Sequence, residues 1–279
     1  MHKRGENVIK FPELIFVIIL YLGCLLVFFT GVSPTAIVIF FVFSYIKGFG
    51  TTAGFHRYFS HKSFKTSRFF QFILALLGSA ALQGSVLSWT AVHRYHHKHS
   101  DTKEDFISPV TRNLFWTQFA CWSFVSHPLD GKKNNHFDSY PEILWLDRYW
   151  LLIALSQIPI LFGIGYYLEI YYPNLNTNGL QLIVWGFFIG TVYNYNLIGL
   201  VNGWCHLWGS KPYATKDNSR NNFIIAILTM GEGWHNNHHK FPYSERQGIE
   251  WWQIDISHYI LKFLSWFGIV WELKVPKGI

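Results

Sequence analysis

The chain has 279 residues, of which 50% are hydrophobic, 19% are aromatic and only 14% are charged. Because an ordinary soluble domain carries about 25% charged residues, this composition argues against a soluble protein and indicates one that lies in a membrane. The formal net charge of +7 is dispersed over residues that flank apolar segments, so it fits a membrane surface or an anionic substrate head group better than nucleic acid.

The chain begins with two apolar segments that predict a helical hairpin. Residues 14–30 carry no charge over about 17 positions, which is the lower end of the length that spans a bilayer. Residues 31–34 (Gly-Val-Ser-Pro) predict a tight turn, and a second span is predicted over about 35–55, running through Lys47 toward His56. Both ends of this hairpin are therefore expected on one side of the membrane.

The next apolar segment, about 69–89, could be counted as a span by hydropathy alone. If it crossed the membrane, however, His56 and His61 would lie on the opposite side from His93 and could not share a site with it. We therefore predict that 69–89 is an interfacial or re-entrant helix, interrupted by glycines such as Gly84.

Two further apolar segments, about 150–170 and 180–201, predict a second hairpin. None of the 23 Lys and Arg residues lies in either predicted turn, 31–34 or 171–179. Because the cytoplasmic flanks of spans are enriched in these residues, the histidine-bearing ends of the helices are expected in the cytoplasm.

The predicted fold class is an all-α integral membrane protein, with four transmembrane helices in two hairpins and a cytoplasmic helical cap that carries the histidines. Residues 1–279 are predicted to form a single domain, since no internal repeat or low-complexity stretch divides them. The tail over 255–271 has apolar residues at helical spacing and predicts an amphipathic helix that lies on the membrane.

Eight of the 14 histidines fall into three clusters. Two clusters have histidines at i, i+3 and i+4, which places three imidazoles on one face of a helix. The other pair is spaced i, i+5, which an α-helix separates by about 140°, so we expect this pair where a helix frays into a turn. The clusters are His56 and His61; His93, His96 and His97; and His235, His238 and His239.

This set of neutral imidazoles predicts metal binding. Imidazole suits zinc, copper, iron or nickel, but eight histidines exceed the three or four ligands of a zinc site and suit two octahedral ions. Iron with open positions activates oxygen. A metal-binding membrane transporter is the alternative, although the predicted spans carry almost none of the polar groups at the bilayer midplane that a transporter needs.

Carboxylates are expected to accept the second ring N–H of such histidines. Solvated surface charge is the alternative role for each candidate. The candidates, chosen as the acids nearest to the second and third clusters, are Asp101, Glu104, Asp105 and Glu232.

Three stretches that contain or adjoin the clusters carry a resemblance to a known family: residues 52–61, residues 89–97 followed by Ser100 and Asp101, and residues 231–234 (Gly-Glu-Gly-Trp) before the third cluster. They resemble the membrane fatty acid desaturase family, in its acyl-CoA delta-9 or first-desaturase branch. The resemblance runs in order from residue 49 to residue 252, and the sequence of the third cluster is most similar to bacterial members of the family.

The resemblance implies two Fe²⁺ ions, O₂ as co-substrate and a saturated fatty acyl chain that receives a cis double bond at the delta-9 position. It also implies a ninth ligand, His206, and a water-linked ligand, Asn202, whose alternative role is a hydrogen bond between helices. No cytochrome b5-like domain is recognised, so a separate electron donor of the ferredoxin, rubredoxin or cytochrome b5 type is expected. The expected location is a bacterial inner membrane with a cytoplasmic active site.

The sequence leaves open which carrier holds the acyl chain and whether the product is an alkene or a hydroxy acid. Vertebrate-type acyl-CoA enzymes of the family tend to carry Arg-Asp before the second cluster, where this chain has Ala91 and Val92, so a lipid-linked acyl group is an alternative to CoA. A related hydroxylase would use the same iron centre to insert oxygen into the C–H bond. Candidates for binding the head group, for which a membrane flank is the alternative role, are Arg57, Lys62, Arg94 and Lys98.

Overall fold

The computed structural model describes residues 11–120 and 136–276, and the chain in these ranges is predominantly helical. It also contains one short antiparallel strand pair, which the all-α prediction omitted. In chain order the elements are α1 (Phe11–Cys24), α2 (Val27–Thr30), α3 (Pro34–Phe49), a π-helix (Gly50–Ser60), β1 (Lys65–Thr66), α4 (Arg68–Ala80), α5 (Val86–His99), α6 (Pro141–Leu155), α7 (Gln157–Tyr171), α8 (Gly179–Leu182), a second π-helix (Ile183–Ile189), α9 (Gly190–Asn202), α10 (Phe223–Leu228), α11 (His235–Lys240), α12 (Ile256–Trp266) and β2 (Val270–Trp271), with short turns of π- or 3₁₀-helix at Trp116–Ala120, His136–Ser139, Pro173–Leu175 and Trp204–His206.

Three helical stretches among the described residues are long and apolar enough to cross a membrane: Pro34–Ser60, Pro141–Tyr171 and Gly179–His206. They coincide with three of the four predicted spans and identify the chain as an integral membrane protein. The remaining predicted span, Leu14–Thr30, is an apolar helix of shorter length that is interrupted between α1 and α2. The four-span count therefore stays a prediction.

The two predicted turns meet at one end of the helix bundle. The Ser33 hydroxyl donates a hydrogen bond to the side-chain carbonyl of Gln181 at 2.7 Å, and the Gln181 amide donates to the backbone carbonyl of Thr30 at 2.9 Å. The indole N–H of Trp185 donates to the carbonyl of Gly31 at 3.0 Å. Because both hairpins reverse direction at this end, the histidine-bearing ends of their helices lie together at the other.

Residues 69–89 divide into two helices, α4 and α5, and the interruption predicted at Gly84 lies between them. That the segment is interfacial or re-entrant stays a prediction. The break contains Leu82 and Gly84, both with positive φ, at +64° and +97°. The Ser85 hydroxyl then accepts a hydrogen bond from the Ser88 N–H and caps the start of α5. The break separates the apolar α4 from the helix that carries the second histidine cluster.

The first histidine pair lies where a π-helix gives way to a turn, with His56 in the helix and His61 directly after it. This position agrees with the prediction, which did not identify the type of helix. All eleven residues of this π-helix, Gly50–Ser60, are buried. The His61 N–H donates to the His56 carbonyl at 3.2 Å, the i→i+5 bond that defines this wider helix. Residues five positions apart are thereby brought toward one face, whereas an α-helix would separate them.

Close packing against α4 accompanies the π-helix. A Cβ atom added to Gly50 would lie 2.3 Å from the backbone of Leu77 and Gly78, so only glycine allows this approach. Gly78 likewise lies against the ring of Phe55.

Lys47 is buried in the span Pro34–Ser60, where it links two spans. Its ammonium group donates to the Gly186 carbonyl at 3.1 Å and to the Thr191 hydroxyl at 3.3 Å. Gly186 lies in the second π-helix, whose i→i+5 pattern alters the ordinary carbonyl pairing. The lysine is therefore directed into the bundle, as ionisable residues within membrane spans generally are.

The tail forms a shorter helix than predicted. α12 begins after Asp255, whose carboxylate accepts the His258 N–H at 3.0 Å, and it ends at Trp266. Gly268 then adopts a positive φ of +66°, and β2 pairs with β1 in antiparallel register. The strand pair ties the end of the described chain to the segment that follows the first histidine pair.

Candidate metal centre

The nine histidines that the sequence and its resemblance single out are brought together at the end of the bundle away from the two turns. They come from the first π-helix and the residue after it, from α5, from the 3₁₀ turn after α9 and from α11. They form two groups, in each of which the ligand atoms lie within 4.8 Å of one another. The five-histidine group is His56, His61, His93, His97 and His238, and the four-histidine group is His96, His206, His235 and His239.

Within each group, Nε2 atoms of different histidines converge on a common point. Two nitrogens bound at right angles to one ion, at about 2.1 Å each, would lie about 3.0 Å apart. The observed Nε2–Nε2 distances match this value: 3.0 Å for His56 and His238, 2.8 Å for His61 and His93, 2.9 Å for His97 and His238, and 3.0 Å for His206 and His235.

Carboxylates engage the other ring nitrogen of four of these histidines. An Nδ1–H bonded to a carboxylate fixes the tautomer and leaves Nε2 as a bare electron pair for a metal. The pairs are His96 with Asp105 at 2.9 Å, His206 with Asp101 at 3.0 Å, His239 with Asp217 at 2.6 Å, and His56 with Glu232.

Three of these carboxylates, Asp101, Asp105 and Glu232, were among the four sequence candidates. The fourth candidate, Glu104, is exposed and hydrogen-bonds Thr102, so the structure gives it no part in the pairing. Asp217 was missed because it lies in a loop, where no helical spacing relates it to a histidine. The signal available was its position between two ligand-bearing segments, the turn ending at His206 and helix α11.

Two ring nitrogens that lack a hydrogen-bond partner indicate that the site suits a metal ion. The Nε2 atoms of His96 and His239 are buried and have no hydrogen-bond partner among the described residues. Since buried polar atoms are rarely left without a partner, and since Asp105 and Asp217 hold the opposite ring nitrogens, a bound cation is the partner that these electron pairs suit.

Burial lowers the pKa of most of the ligand imidazoles and so keeps them neutral, the form that binds metal. The pKa of His239 falls to about 4 through burial, although the Asp217 carboxylate opposes the shift. The imidazoles whose pKa lies well below the ordinary value of 6.5, chiefly through burial and then through neighbouring imidazoles, are His61, His93, His97, His235 and His238.

For three groups in the histidine–carboxylate pairs, the partner shifts the pKa in the direction opposite to that of burial. Burial would lower the pKa of His96, but the Asp105 carboxylate outweighs it and raises that pKa above 6.5. Burial would raise the pKa of Asp101 and Asp217, yet the hydrogen bonds from His206 and His239 hold the pKa of both carboxyls well below the ordinary value of 3.8. These two acids are therefore anionic.

A largely apolar cavity of about 540 Å³ runs from the histidine groups into the bundle. Its lining follows α3 and the π-helix from Ser44 to His56, and α9 from Tyr193 to Asn202. A helical run from residue 44 to residue 56 rises on the order of 15 Å, so the cavity is elongated along the bundle. His56 and His93 of the five-histidine group and His235 of the four-histidine group are among its lining residues, so the cavity reaches both groups.

Asn202 lines the same cavity as His235, but it does not lie on one continuous helix with His206. α9 ends at Asn202, and His206 belongs to the following 3₁₀ turn. The chain therefore bends between the two residues. The role of Asn202 as a water-linked ligand stays a prediction.

Arg57 does not contact a head group, and this corrects the prediction. Its side chain is only 1% exposed, and its guanidinium bonds to Asp255 at 3.0 Å, to Glu232 at 3.2 Å and to the Glu245 carbonyl at 2.9 Å. Because the side chain is buried, a substrate phosphate at the surface could not reach it.

The other three head-group candidates keep some accessibility. Lys62 and Lys98 are exposed, and Arg94 is partly buried. Burial lowers the pKa of Arg94, and the Asp138 carboxylate opposes that shift. These three residues stay candidates for binding an anionic head group.

Comparison with known proteins agrees with this geometry. The fatty acid desaturase family model matches residues 13–267. The chain is 41% identical, over 236 residues, to the acyl-CoA C20 Delta5-desaturase of Anemone leveillei, covering 83% of this chain and 71% of the relative. It is 35% identical over 247 residues to the Delta-9 acyl-lipid desaturase 2 of Arabidopsis thaliana, covering 87% of this chain and 76% of the relative.

A third relative widens the range of substrates named. The chain is 37% identical over 232 residues to the chloroplastic palmitoyl-monogalactosyldiacylglycerol delta-7 desaturase of Arabidopsis thaliana, covering 81% of this chain and 58% of the relative. The names of the three relatives thus differ both in double-bond position and in acyl carrier.

Proposed function

The chain belongs to the fatty acid desaturase family, and from this premise we propose that it is an O₂-dependent di-iron enzyme that introduces a cis double bond into a saturated fatty acyl chain. The observation that carries the proposal is the convergence of nine histidines on two points at the end of an elongated apolar cavity. The cavity suits an acyl chain, and the two histidine groups suit two metal ions.

In this proposal the nine histidines hold two Fe²⁺ ions, with Asn202 as the candidate for a water-linked contact. When bound, iron together with O₂ and two external electrons supplies the oxidising power that removes two hydrogens from adjacent methylenes. The protein positions those methylenes. The cavity wall beside His56 and His93 determines which carbons of the acyl chain approach the ligands, and it excludes water. Asp105, Asp101 and the other paired carboxylates orient the imidazoles.

For the position of the double bond we propose delta-9, because the three histidine-containing stretches resemble the delta-9 branch of the family in sequence. The names of the relatives include delta-5 and delta-7 positions as well, so the position is the finer part of the proposal. The acyl carrier is either CoA or a membrane lipid, held by Lys62, Arg94 or Lys98.

We also propose that the histidine-bearing end faces the cytoplasm, because neither hairpin turn carries any of the 23 basic residues. A ferredoxin, rubredoxin or cytochrome b5 type carrier would deliver electrons to that face. The relatives reported above are plant proteins, so they lend no support to a bacterial inner membrane, which stays a prediction.

Expression in a desaturase-deficient host tests the proposal directly. Cells fed saturated acids of several lengths should accumulate new cis-monounsaturated acids, which analysis of the fatty acid methyl esters would identify by length and double-bond position. Hydroxy acids without a new alkene would overturn the proposal in favour of a hydroxylase.

A matched pair of variants on α5 links the activity to the histidine groups. His96→Ala should abolish the new alkene while the protein still inserts in the membrane, because it removes a buried ligand of the four-histidine group. His99→Ala is the control, since His99 stacks on Tyr95 at 4.4 Å and belongs to neither group. Retained turnover in His96→Ala would mean that the ligand set is wrong.

A further inference from the structure

The two histidine groups differ in the negative charge that supports them. Three carboxylates bond to ligands of the four-histidine group: Asp105 to His96, Asp101 to His206, and Asp217 to His239. Among the described residues, a single carboxylate, Glu232, bonds to a ligand of the five-histidine group, through Nδ1 of His56.

The single carboxylate of the five-histidine group is also partly neutralised. Glu232 forms an ion pair with the buried guanidinium of Arg57 at 3.2 Å, and its other oxygen accepts the Gln247 amide at 3.0 Å. Its negative charge is therefore shared between an imidazole and a fixed cation that is itself 1% exposed.

The carboxylates of the four-histidine group have neutral secondary partners. Asp105 accepts the backbone N–H groups of Asp101 and Ile107, and Asp217 accepts the N–H and hydroxyl of Ser219. Asp101 accepts the hydroxyl of Ser108 and a backbone N–H. In the part of the chain that the structure describes, no lysine or arginine forms an ion pair with any of the three.

We propose that the two groups bind divalent metal with unequal affinity and that the four-histidine group fills first. Neutral imidazoles leave the charge of an ion unbalanced, and each carboxylate that accepts the outer N–H of a ligand raises metal affinity about 10- to 100-fold. The four-histidine group has an excess of two such partners. The fifth imidazole of the other group opposes this difference, so we expect a net preference of about tenfold or more.

This inference rests on the metal centre of the proposed function but not on its reaction, so it can be tested by binding alone. The full-length chain in detergent, freed of metal by chelation, is titrated with Co²⁺, and binding is followed by visible absorption and by calorimetry. Two steps of one equivalent each are expected, the first about tenfold tighter or more.

Two charge-removing substitutions assign the steps. Asp217→Asn should weaken binding at the four-histidine group about 10- to 100-fold and leave the affinity of the five-histidine group unchanged, so the two steps should draw together or change order. Glu232→Gln should weaken only the second step. Both variants keep a side-chain oxygen that can accept the imidazole N–H, so they remove charge with little change of shape.

A second variant of the four-histidine group guards against misfolding of the Asp217 loop. Asp101 has a positive φ of +60°, which asparagine tolerates, so Asp101→Asn should fold and should also weaken binding at the four-histidine group. Unchanged circular dichroism of the metal-free variants is the control for folding.

Two results would overturn the inference: a single step that takes up two equivalent ions, or a first step that responds to Glu232→Gln and not to Asp217→Asn or Asp101→Asn. Either result would leave the desaturase proposal intact if the lipid analysis shows a new alkene. Conversely, hydroxy acids in the lipid analysis would overturn the proposed reaction without affecting the order of metal binding.

Discussion

Arg57 is adjacent in sequence to the candidate ligand His56, yet its charge is used inside the protein. Its guanidinium lies between Glu232 of the segment before α11 and Asp255 at the start of α12. It thereby ties the first histidine pair to the third cluster and to the tail. A residue with these partners positions its neighbours and does not contact the substrate.

Replacing Arg57 should therefore reduce stability rather than substrate affinity. Arg57→Ala leaves Glu232 and Asp255 buried without their cation, and loss of one partner of a buried ion pair costs about 3–5 kcal/mol. The measurement is the melting temperature in detergent, which should fall sharply.

The control for Arg57→Ala is Lys98→Ala at an exposed head-group candidate. It should leave the melting temperature unchanged and raise the KM for the acyl carrier if Lys98 binds the head group. A normal melting temperature with a raised KM in Arg57→Ala would restore the original head-group prediction.

At the residue scale, the sequence predicts what helical spacing encodes and misses what loops encode. His93, His96 and His97 lie on α5 as their i, i+3, i+4 spacing requires. Asp217 reaches His239 at 2.6 Å through a loop fold, and no local pattern announces such a contact. Arg57 was misassigned because a sequence does not reveal whether a basic residue is buried.

At the scale of elements, the π-helix Gly50–Ser60 places both histidines of the first pair in the five-histidine group. The sequence indicated that an i, i+5 spacing does not fit an α-helix, but not which irregular structure resolves it. The choice depends on tertiary packing against α4, which approaches within a distance that only glycines permit. Likewise, the break between α4 and α5 depends on positive φ values at Leu82 and Gly84.

Gly50→Ala should disturb this packing and the metal site with it. The added Cβ would lie 2.3 Å from the backbone of α4, and such overpacking costs about 1–3 kcal/mol. We expect a lower melting temperature and loss of about one equivalent of bound metal, because His56 and His61 would shift together. Metal analysis of the purified protein measures the second effect.

Gly163→Ala in α7 is the matched control for Gly50→Ala. A Cβ there has nothing within 4 Å, so this variant should keep both its metal content and its melting temperature, or melt slightly higher through the helix preference of alanine. Equal behaviour of the two variants would contradict the packing argument.

At the scale of the whole molecule, the hydrogen bonds between the two hairpin turns predict membrane topology. In a chain whose native cysteines are replaced, Val32→Cys and Asn176→Cys should react with an impermeant thiol reagent from one side, because both positions are exposed near the joined turns. Lys98→Cys should react only from the other side. Labelling of the two turns from opposite sides would contradict the paired hairpins and the four-span count.

The metal-free protein should lose stability as the pH falls below about 6.5. In the unfolded chain the imidazoles titrate with a pKa near 6.5, whereas the folded protein holds the pKa of six of them lower, as for His239 at about 4. Below 6.5 the unfolded state therefore binds more protons, and each such histidine removes up to about 1.4 kcal/mol per pH unit. The raised pKa of His96 acts in the opposite sense but is one group against six.

Melting temperatures of the chelated protein from about pH 8 to about pH 5 check this dependence. A flat profile across that range would contradict the burial of neutral imidazoles. His99→Ala should show the same profile as the unchanged protein, because His99 lies outside both groups.

The ligands that meet at one point are far apart along the chain. His56 and His238 are separated by 182 residues, and His97 and His238 by 141, so an ion held by such pairs would close very long loops. In the chain-entropy model a covalent link across about 100 residues restricts the unfolded state by about 4.7 kcal/mol, and longer loops add little more. Among the described residues Cys24 and Cys205 are free thiols, so the metal ions would be the cross-links there. Removing the ions with a chelator would then destabilise this protein in the way that reducing its disulfides destabilises a secreted protein.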